Sequence, residues 1–319
     1  MEYLYIAAGL ALLFFGGEGL LRGSISLARR YGLSDLLVSA VIVGFGTSAP
    51  ELAVSVQASL AGSPAIALGN VVGSNIANIF LILALCVMIF PVRADDPAIL
   101  HSAMAVVTAS IILCALSFAG IINQPMGLCL FLGLVSYLAW NFGQDRKKSA
   151  REKKAAKEHV RDAEGPRDLQ SPLAVLYCIG GLALLVFGAQ LLLEGATFLA
   201  RAAGISEAVI GLTLVAVGTS LPELATGVIA ALRRHGDVII GNILGSCIFN
   251  SFGILGITAM IAPMPMQGRI VVFDIWAMLA AALVLLAIIA MRRKIGRVEG
   301  IAMLAAYVAY VGWLYAAGG

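Results

Sequence analysis

The sequence predicts an all-α polytopic membrane protein with ten transmembrane helices in two inverted five-helix repeats. The composition is the first indication: 61% of the 319 residues are hydrophobic and 12% are charged, whereas an average soluble domain has about 25% charged residues. The mean hydropathy is +0.97. The number of apolar segments and an internal repeat are the other two indications. This composition excludes a soluble globular domain and a disordered chain.

Ten apolar segments are long enough to cross a bilayer, which requires about 20 residues per helix. Half of them precede a polar stretch, 143–171, and half follow it. We therefore predict a first transmembrane repeat at 1–142, a charged cytoplasmic linker at 143–171 and a second transmembrane repeat at 172–319. In chain order, the predicted spans lie near 3–21, 33–60, 64–91, 101–122, 125–142, 172–195, 205–232, 236–262, 270–291 and 298–316.

The basic residues predict the orientation, because cytoplasmic loops of membrane proteins carry an excess of Lys and Arg. With the linker in the cytoplasm, 19 of the 21 Lys and Arg residues lie on the cytoplasmic side, and only Arg201 and Arg269 lie on the other. We therefore expect both termini to be extracytoplasmic, with the protein in the inner (plasma) membrane of the cell.

The chain repeats itself after 172 residues without a gap. GTSAPELA at 46–53 matches GTSLPELA at 218–225, and GNVVGSNIAN at 69–78 matches GNILGSCIFN at 241–250. Because each repeat holds an odd number of spans, the second copy must enter the membrane from the opposite side. Inverted repeats of this kind are typical of secondary transporters, which bind their substrate near the middle of the membrane between the two halves.

Two acidic residues occupy equivalent positions inside apolar segments. Glu51 and Glu223 end the motifs GTSAPE and GTSLPE, and neither predicted span contains a Lys or Arg. An ionised carboxylate inside the membrane is costly unless a cation or a hydrogen-bond donor compensates it. A bound cation is therefore the leading explanation for both residues. We expect three other acidic residues to be interfacial or packing groups rather than ligands: Glu18, Glu194 and Asp274.

Both carboxylates have oxygen-bearing neighbours. Carboxylate, hydroxyl and amide oxygens are hard ligands that suit Ca²⁺ or Na⁺. Pro50 and Pro222, with the glycines before them, predict a helix break just before each glutamate, where unwound backbone would expose carbonyl oxygens. The candidate side-chain ligands besides the glutamates are Thr47, Ser48, Ser74 and Asn78 from the first repeat, and Thr219, Ser220, Ser246 and Asn250 from the second.

The charge of this site predicts how it would work. Two carboxylates neutralise one Ca²⁺ or two Na⁺, but not both loads together. Unlike ions would then compete for one site, and the empty site would cross the membrane unfavourably. This competition is what coupled antiport requires.

The paired motifs resemble those of the prokaryotic sodium/calcium exchangers, a branch of the Ca²⁺/cation antiporter superfamily. The resemblance covers nearly the whole chain. The calcium/proton branch typically carries GNxxE in its repeats, whereas this chain has GNVVG and GNILG, which favours sodium coupling. The resemblance implies four cation sites between the second, third, seventh and eighth helices, with the backbone carbonyls of Gly44 and Ala216 as additional ligands. It also implies that the first and sixth helices slide to alternate access.

One position departs from the family pattern. Many sodium/calcium exchangers carry Asp where this chain has Asn250, and potassium-dependent relatives often have Asp at the equivalent of Asn78 or Asn250. With Asn at both positions, the site has one carboxylate fewer than the resemblance implies. This argues against potassium dependence.

Other classes of function were weighed against antiport. An intramembrane enzyme would need a motif such as HExxH or paired intramembrane Asp residues, and the sequence has neither. A passive cation channel and a proton-coupled antiporter of Ca²⁺ or another divalent cation remain as alternatives. We expect no cofactor beyond the transported ions Ca²⁺ and Na⁺. The expected partners are the lipid bilayer and inorganic cations, without nucleic acid, and we expect the monomer to function.

Overall fold

A computed structural model describes residues 2–156, 169–202 and 218–318. These residues are almost entirely helical. In chain order, the helices are α1 (Glu2–Tyr31), α2 (Asp35–Thr47), α3 (Ala49–Leu60), α4 (Pro64–Ile89), α5 (Pro97–Ser117), α6 (Gln124–Ala156), α7 (Ser171–Ala202), α8 (Leu221–Leu232), α9 (Gly236–Ile261), α10 (Ile270–Arg292) and α11 (Arg297–Gly318).

The helices confirm a multi-pass membrane protein. Among the described residues, seven helices are long and apolar enough to cross a membrane, or eight spans if the bent pair α2–α3 counts as one. The predicted span 205–232 lies partly outside the described residues, which include only 218–232, with α8 at its end. The number ten therefore stays a prediction.

Proline fixes the first turn of several helices. Its missing N–H is no loss there, because the first backbone N–H groups of a helix have no partner within it. The N-terminus of α5 is further capped by Asp96, whose carboxylate accepts a 2.9 Å hydrogen bond from the N–H of Ala98. The helices with a proline in the first turn are α3, α4, α5 and α8, and the prolines are Pro50, Pro64, Pro97 and Pro222, respectively.

The predicted helix break before Glu51 is present as a bend of 43° between α2 and α3. Ser48 lies at the bend, with φ −83° and ψ 8°. The sequence suggested that the backbone before Ser48 is unwound. Instead, this backbone forms a π-helical turn over Ser39–Gly44. Similar wide turns occur at Asn78–Leu83 and Phe249–Ile254. Such turns interrupt the regular helical register, and they are frequent at functional sites.

Helices α4 and α9 form the centre of the molecule. In their most apolar stretches, 67% of the α4 residues and 94% of the α9 residues are buried, against 33% in α1 and 28% in α7. Phe15 on α1 and Phe187 on α7 are largely exposed, as expected of side chains that face lipid. The polar residues on α4 and α9 are consequently shielded from the bilayer.

Helices α1 and α7 cross each other in antiparallel orientation at their glycines. A Cβ atom on Gly9 would lie 2.8 Å from the carbonyl oxygen of Gly188, and one on Gly16 would lie 2.8 Å from that of Gly181. Only glycine allows two backbones to approach this closely in a membrane. Later residues of α1 therefore contact earlier residues of α7, as expected of antiparallel helices.

Two short antiparallel ribbons join loops that are distant in the sequence. β1 (Val92–Arg93) pairs with β4 (Lys294–Ile295), and β2 (Ile121–Ile122) pairs with β3 (Met264–Pro265). Each ribbon links two loops for which the sequence predicts the same side of the membrane. Helix α6 also continues past 142 into the charged stretch, so the linker is helical at least to Ala156.

Candidate cation site

The two glutamates enter the site from equivalent helix starts. Helix α3 begins immediately after Ser48 and helix α8 immediately after Ser220, and each places its glutamate in the first turn. Glu51 is 1% exposed and Glu223 is fully buried. The partial positive charge at a helix N-terminus favours a carboxylate in this position, but only by up to about 2 kcal/mol even in partly buried geometries. Other groups must therefore compensate the two buried charges.

Reciprocal hydrogen bonds bring the two repeats together. The hydroxyl of Ser48 donates to Oε1 of Glu223 over 2.8 Å, and the hydroxyl of Ser220 donates to Oε1 of Glu51 over 3.1 Å. The sequence placed each serine beside the glutamate of its own motif, whereas the structure pairs each with the glutamate of the other motif.

Two asparagines that the sequence reasoning missed hold the backbone of the glutamates. Asn70 Nδ2 donates to the carbonyl oxygen of Glu51 over 3.1 Å, and Asn242 Nδ2 donates to that of Glu223 over 3.3 Å. The sequence does single out these two asparagines, because each is the Asn of a Gly-Asn pair that occurs at the same position in both repeats. Thr47 lies close by, and its hydroxyl is 3.4 Å from Oδ1 of Asn242.

The carbonyl oxygen of Gly44 lies where α2 meets α9. It accepts hydrogen bonds from the hydroxyls of Ser246, at 3.0 Å, and Thr47, at 3.3 Å. Gly44 can approach α9 this closely because it has no side chain: a Cβ atom would lie 2.9 Å from the carbonyl oxygen of Asn242 and from the N–H nitrogen of Ser246. The equivalent candidate in the second repeat, Ala216, lies outside the described residues.

Several buried oxygens of the site have no hydrogen-bond partner within the described part of the chain. A buried polar atom without a partner costs free energy, and such atoms are rare unless a ligand, ion or water satisfies them. Ser74 is also buried, one helical turn before Asn78. The oxygens without a partner are Oε2 of Glu51, Oε2 of Glu223, Oδ1 of Asn78, Oδ1 of Asn250 and Oγ1 of Thr219.

Basic side chains do not neutralise this cluster: within the described residues, no salt bridge reaches Glu51 or Glu223. Other acids do have basic partners. Glu18 pairs with Arg22 and Arg233, and Asp274 pairs with Arg269 and accepts a hydrogen bond from Tyr310. Unlike the two glutamates, Glu18 and Asp274 therefore have basic partners in the described structure.

The result is a buried, acidic cluster of hard oxygen donors between the central helices of a membrane protein. Such a cluster of oxygens can replace the hydration shell of a cation such as Ca²⁺ or Na⁺. A cation site enclosed between packed helices and built from two equivalent halves is typical of secondary transporters. The fold and the site together define a cation-transporting membrane protein.

Comparison with known proteins identifies the family. The family model described as sodium/calcium exchanger protein matches residues 1–143 and 173–316. The chain therefore belongs to the sodium/calcium exchanger family, whose members are cation antiporters.

Individual relatives agree with this assignment over nearly their full lengths. The chain is 32% identical to the putative antiporter CaxA of Alkalimonas amylolytica, covering 96% of each chain. It is 30% identical to the inner membrane protein YrbG of Escherichia coli strain K12, covering 97% of this chain and 95% of the relative. Among solved structures, the sodium-calcium exchanger NCX_Mj superposes with a TM-score of 0.83 at 30% identity, covering 98% of this chain and 97% of the other.

Proposed function

We propose that this protein is a secondary active antiporter that exchanges Ca²⁺ for Na⁺ by alternating access to one site in the middle of the membrane. The observation that carries the proposal is the pair of buried glutamates, Glu51 and Glu223, each with an oxygen that has no partner among the described residues. A solved relative that is named a sodium-calcium exchanger supports the choice of ions.

The ligands of the proposed site come from both repeats. The unpartnered oxygens of the glutamates and of Asn78 and Asn250 are the strongest candidates, because a cation would satisfy them. The Gly44 carbonyl accepts hydrogen bonds from two hydroxyls, so it has to share its lone pairs with a cation. The full proposed set is Gly44, Thr47, Ser48, Glu51, Ser74, Asn78, Ala216, Thr219, Ser220, Glu223, Ser246 and Asn250.

Charge balance explains why the two ions would exchange. Two carboxylates match one Ca²⁺ or two Na⁺, so each load displaces the other. When neither Ca²⁺ nor Na⁺ is bound, the site retains two buried carboxylate charges. The effective cost of burying an unpaired ion in a protein is several kcal/mol. The protein would therefore change its orientation with a load bound, which couples the two fluxes.

Contacts in the described helices support two inverted repeats. Gly9 and Gly181 are equivalent under the 172-residue shift, as are Gly16 and Gly188, and α1 crosses α7 in antiparallel orientation at these residues. Equivalent helices that run in opposite directions are what inversion predicts. The shift also carries β1 onto β3, and β2 onto β4 within one residue. The proposal therefore keeps ten spans, with repeats at 1–142 and 172–319 and a cytoplasmic linker at 143–171.

The remaining features of the proposal follow from the family and from the basic residues. The relative in Escherichia coli is named an inner membrane protein, which supports the plasma membrane as the location. The distribution of Lys and Arg supports an extracytoplasmic position for both termini. The site is built within one chain, so a monomer is sufficient for transport, with α1 and α7 as the helices that slide across the rest.

The test is uptake of ⁴⁵Ca²⁺ by proteoliposomes loaded with Na⁺. We expect uptake with an outward Na⁺ gradient, and loss of uptake in Glu51→Gln and Glu223→Gln. Glu194→Gln is the matched control, because Glu194 is exposed on α7 and is not among the proposed ligands. Uptake driven by a proton gradient instead would favour the proton-coupled alternative. Uptake of Ca²⁺ that requires neither a Na⁺ gradient nor a proton gradient would indicate a channel.

A further inference from the structure

A second buried polar cluster lies behind the proposed site, between α4 and α9. Its centre is Asn75, which is 1% exposed. Asn75 Oδ1 accepts a 3.1 Å hydrogen bond from Nδ2 of Asn250. Asn75 Nδ2 donates to the hydroxyl of Ser251 over 2.7 Å and lies 3.5 Å from both the carbonyl oxygen of Cys247 and the sulfur of Met278.

This cluster breaks the symmetry between the repeats. Asn78 and Asn250 are equivalent under the 172-residue shift, but the residue equivalent to Asn75 is Cys247. Cys247 has a thiol in place of the amide, so it cannot offer Asn78 the amide oxygen that Asn75 offers Asn250. Sulfur is a weak hydrogen-bond acceptor, whereas an amide oxygen is a strong one. Asn250 is therefore held by an amide of the other repeat, whereas the equivalent position offers Asn78 only a thiol.

The hydrogen bond to Asn75 fixes which end of the Asn250 amide faces the site. With Nδ2 engaged by Asn75, the oxygen Oδ1 points elsewhere, and it is buried without a partner among the described residues. A flipped amide would turn two N–H donors towards a cation and would set two amide oxygens against each other. The Ser251 hydroxyl could accept or donate, but the carbonyl oxygen of Cys247, 3.5 Å from Asn75 Nδ2, can only accept. This carbonyl therefore favours the orientation of Asn75 that keeps Oδ1 towards Asn250.

We propose that Asn75 is a positioning residue that orients Oδ1 of Asn250 towards the transported cation and so sets the affinity of the second repeat's half of the site. This inference rests on the proposed function, because it takes Asn250 as a ligand. Asn75 itself does not touch the ion.

The test is binding of Ca²⁺ to the purified, detergent-solubilised full-length protein, measured by calorimetry. We expect Asn75→Ala to weaken Ca²⁺ binding about tenfold, the equivalent of one well-placed hydrogen bond. In the Asn250→Ala background, the same substitution should change the dissociation constant by less than about twofold, since no oxygen remains to be oriented. Cys247→Ala, at the equivalent position of the other repeat, is the matched control and should have a smaller effect than Asn75→Ala.

A merely structural role predicts a different pattern. Asn75→Ala would then lower the thermal stability and would reduce binding by the same factor in both backgrounds, which would overturn the proposal. An unchanged dissociation constant in Asn75→Ala, or an equal effect of Cys247→Ala, would overturn it as well. If the wild-type protein binds Ca²⁺ and exchanges it for Na⁺, these results count against the positioning role alone. A wild-type protein that binds no Ca²⁺ would overturn both the proposed function and this inference.

Discussion

The hydroxyl of Ser48 donates a 2.8 Å hydrogen bond to the carboxylate of Glu223, which lies 175 residues further along the chain. Ser220 returns the same bond to Glu51. Each glutamate is thus held by the helix start of the opposite repeat. The two halves of the site are consequently coupled directly, through residues that also belong to the proposed ligand set.

The reciprocal bonds predict equal effects of two substitutions. Ser48→Ala and Ser220→Ala should each raise the Ca²⁺ concentration for half-maximal uptake about tenfold to a hundredfold, since each removes a proposed ligand and a charge-assisted hydrogen bond worth about 1.5–3 kcal/mol. Measurement of ⁴⁵Ca²⁺ uptake at varied Ca²⁺ concentration would check this. Ser59→Ala is the control, because Ser59 is buried on α3 without a hydrogen-bond partner in the described structure. A large effect of only one of the two serines would contradict the reciprocal arrangement.

Residues that the repeats share could be predicted from the sequence. Glu51 and Glu223 stood out as acids in apolar segments, and the motif around them indicated a break, which occurs at Ser48. The physical reason is that a carboxylate inside the membrane has few structural roles, and neither has a proline a few residues after a glycine within a membrane helix. The outline of the site follows from those few residues.

Contacts between the repeats could not be predicted from the sequence. A motif shows which side chains are neighbours on one helix, but not which helix faces them. The pairing of Ser48 with Glu223 and the hydrogen bond between Asn75 and Asn250 both depend on how α3, α4, α8 and α9 pack. The π-helical turn at Ser39–Gly44 was also missed, because the glycines and the proline of this region indicated an unwound break rather than a widened helical turn.

The crossing of α1 and α7 predicts a sharp difference between neighbouring glycines. A Cβ atom on Gly181 would lie 2.6 Å from the backbone nitrogen of Leu20 and 2.7 Å from the carbonyl oxygen of Gly16. Gly181→Ala should therefore push the helices apart, and overpacking of this kind costs about 1–3 kcal/mol. Gly180→Ala is the matched control, since a Cβ there meets no described atom within 4 Å. Thermal unfolding in detergent should show a lower midpoint for the first variant only, and equal midpoints would argue against the tight crossing.

The ion pair between Glu18 and Arg233 joins α1 to the end of α8. The Arg233 guanidinium donates two 3.0 Å hydrogen bonds to the Glu18 carboxylate. Its side chain is 51% exposed, so the pair should be worth at most about 1 kcal/mol. If α1 slides during transport, this pair must break, and its removal should speed the movement.

Glu18→Gln and Arg233→Gln should therefore each raise the maximal exchange rate by up to about fivefold, the equivalent of 1 kcal/mol, without changing half-saturation by Ca²⁺. The double variant should exchange no faster than either single one. Rates of ⁴⁵Ca²⁺ uptake under a saturating Na⁺ gradient would provide the measurement. A change in half-saturation instead of rate would place Glu18 in the ion path.

Gly44 provides the last prediction, because its contact with α9 connects packing directly to the site. A Cβ atom at this position would lie 2.9 Å from backbone atoms of both Asn242 and Ser246, and backbone in the most buried helix cannot move aside. Gly44→Ala should therefore displace α2, break the 3.0 Å hydrogen bond from Ser246 to the Gly44 carbonyl, and abolish Na⁺-driven Ca²⁺ uptake. Gly133→Ala is the control, since a Cβ there would meet only the ring of Phe252, at 3.3 Å, and a side chain can adjust. Wild-type uptake by Gly44→Ala, in protein that is correctly inserted, would show that transport does not depend on this contact.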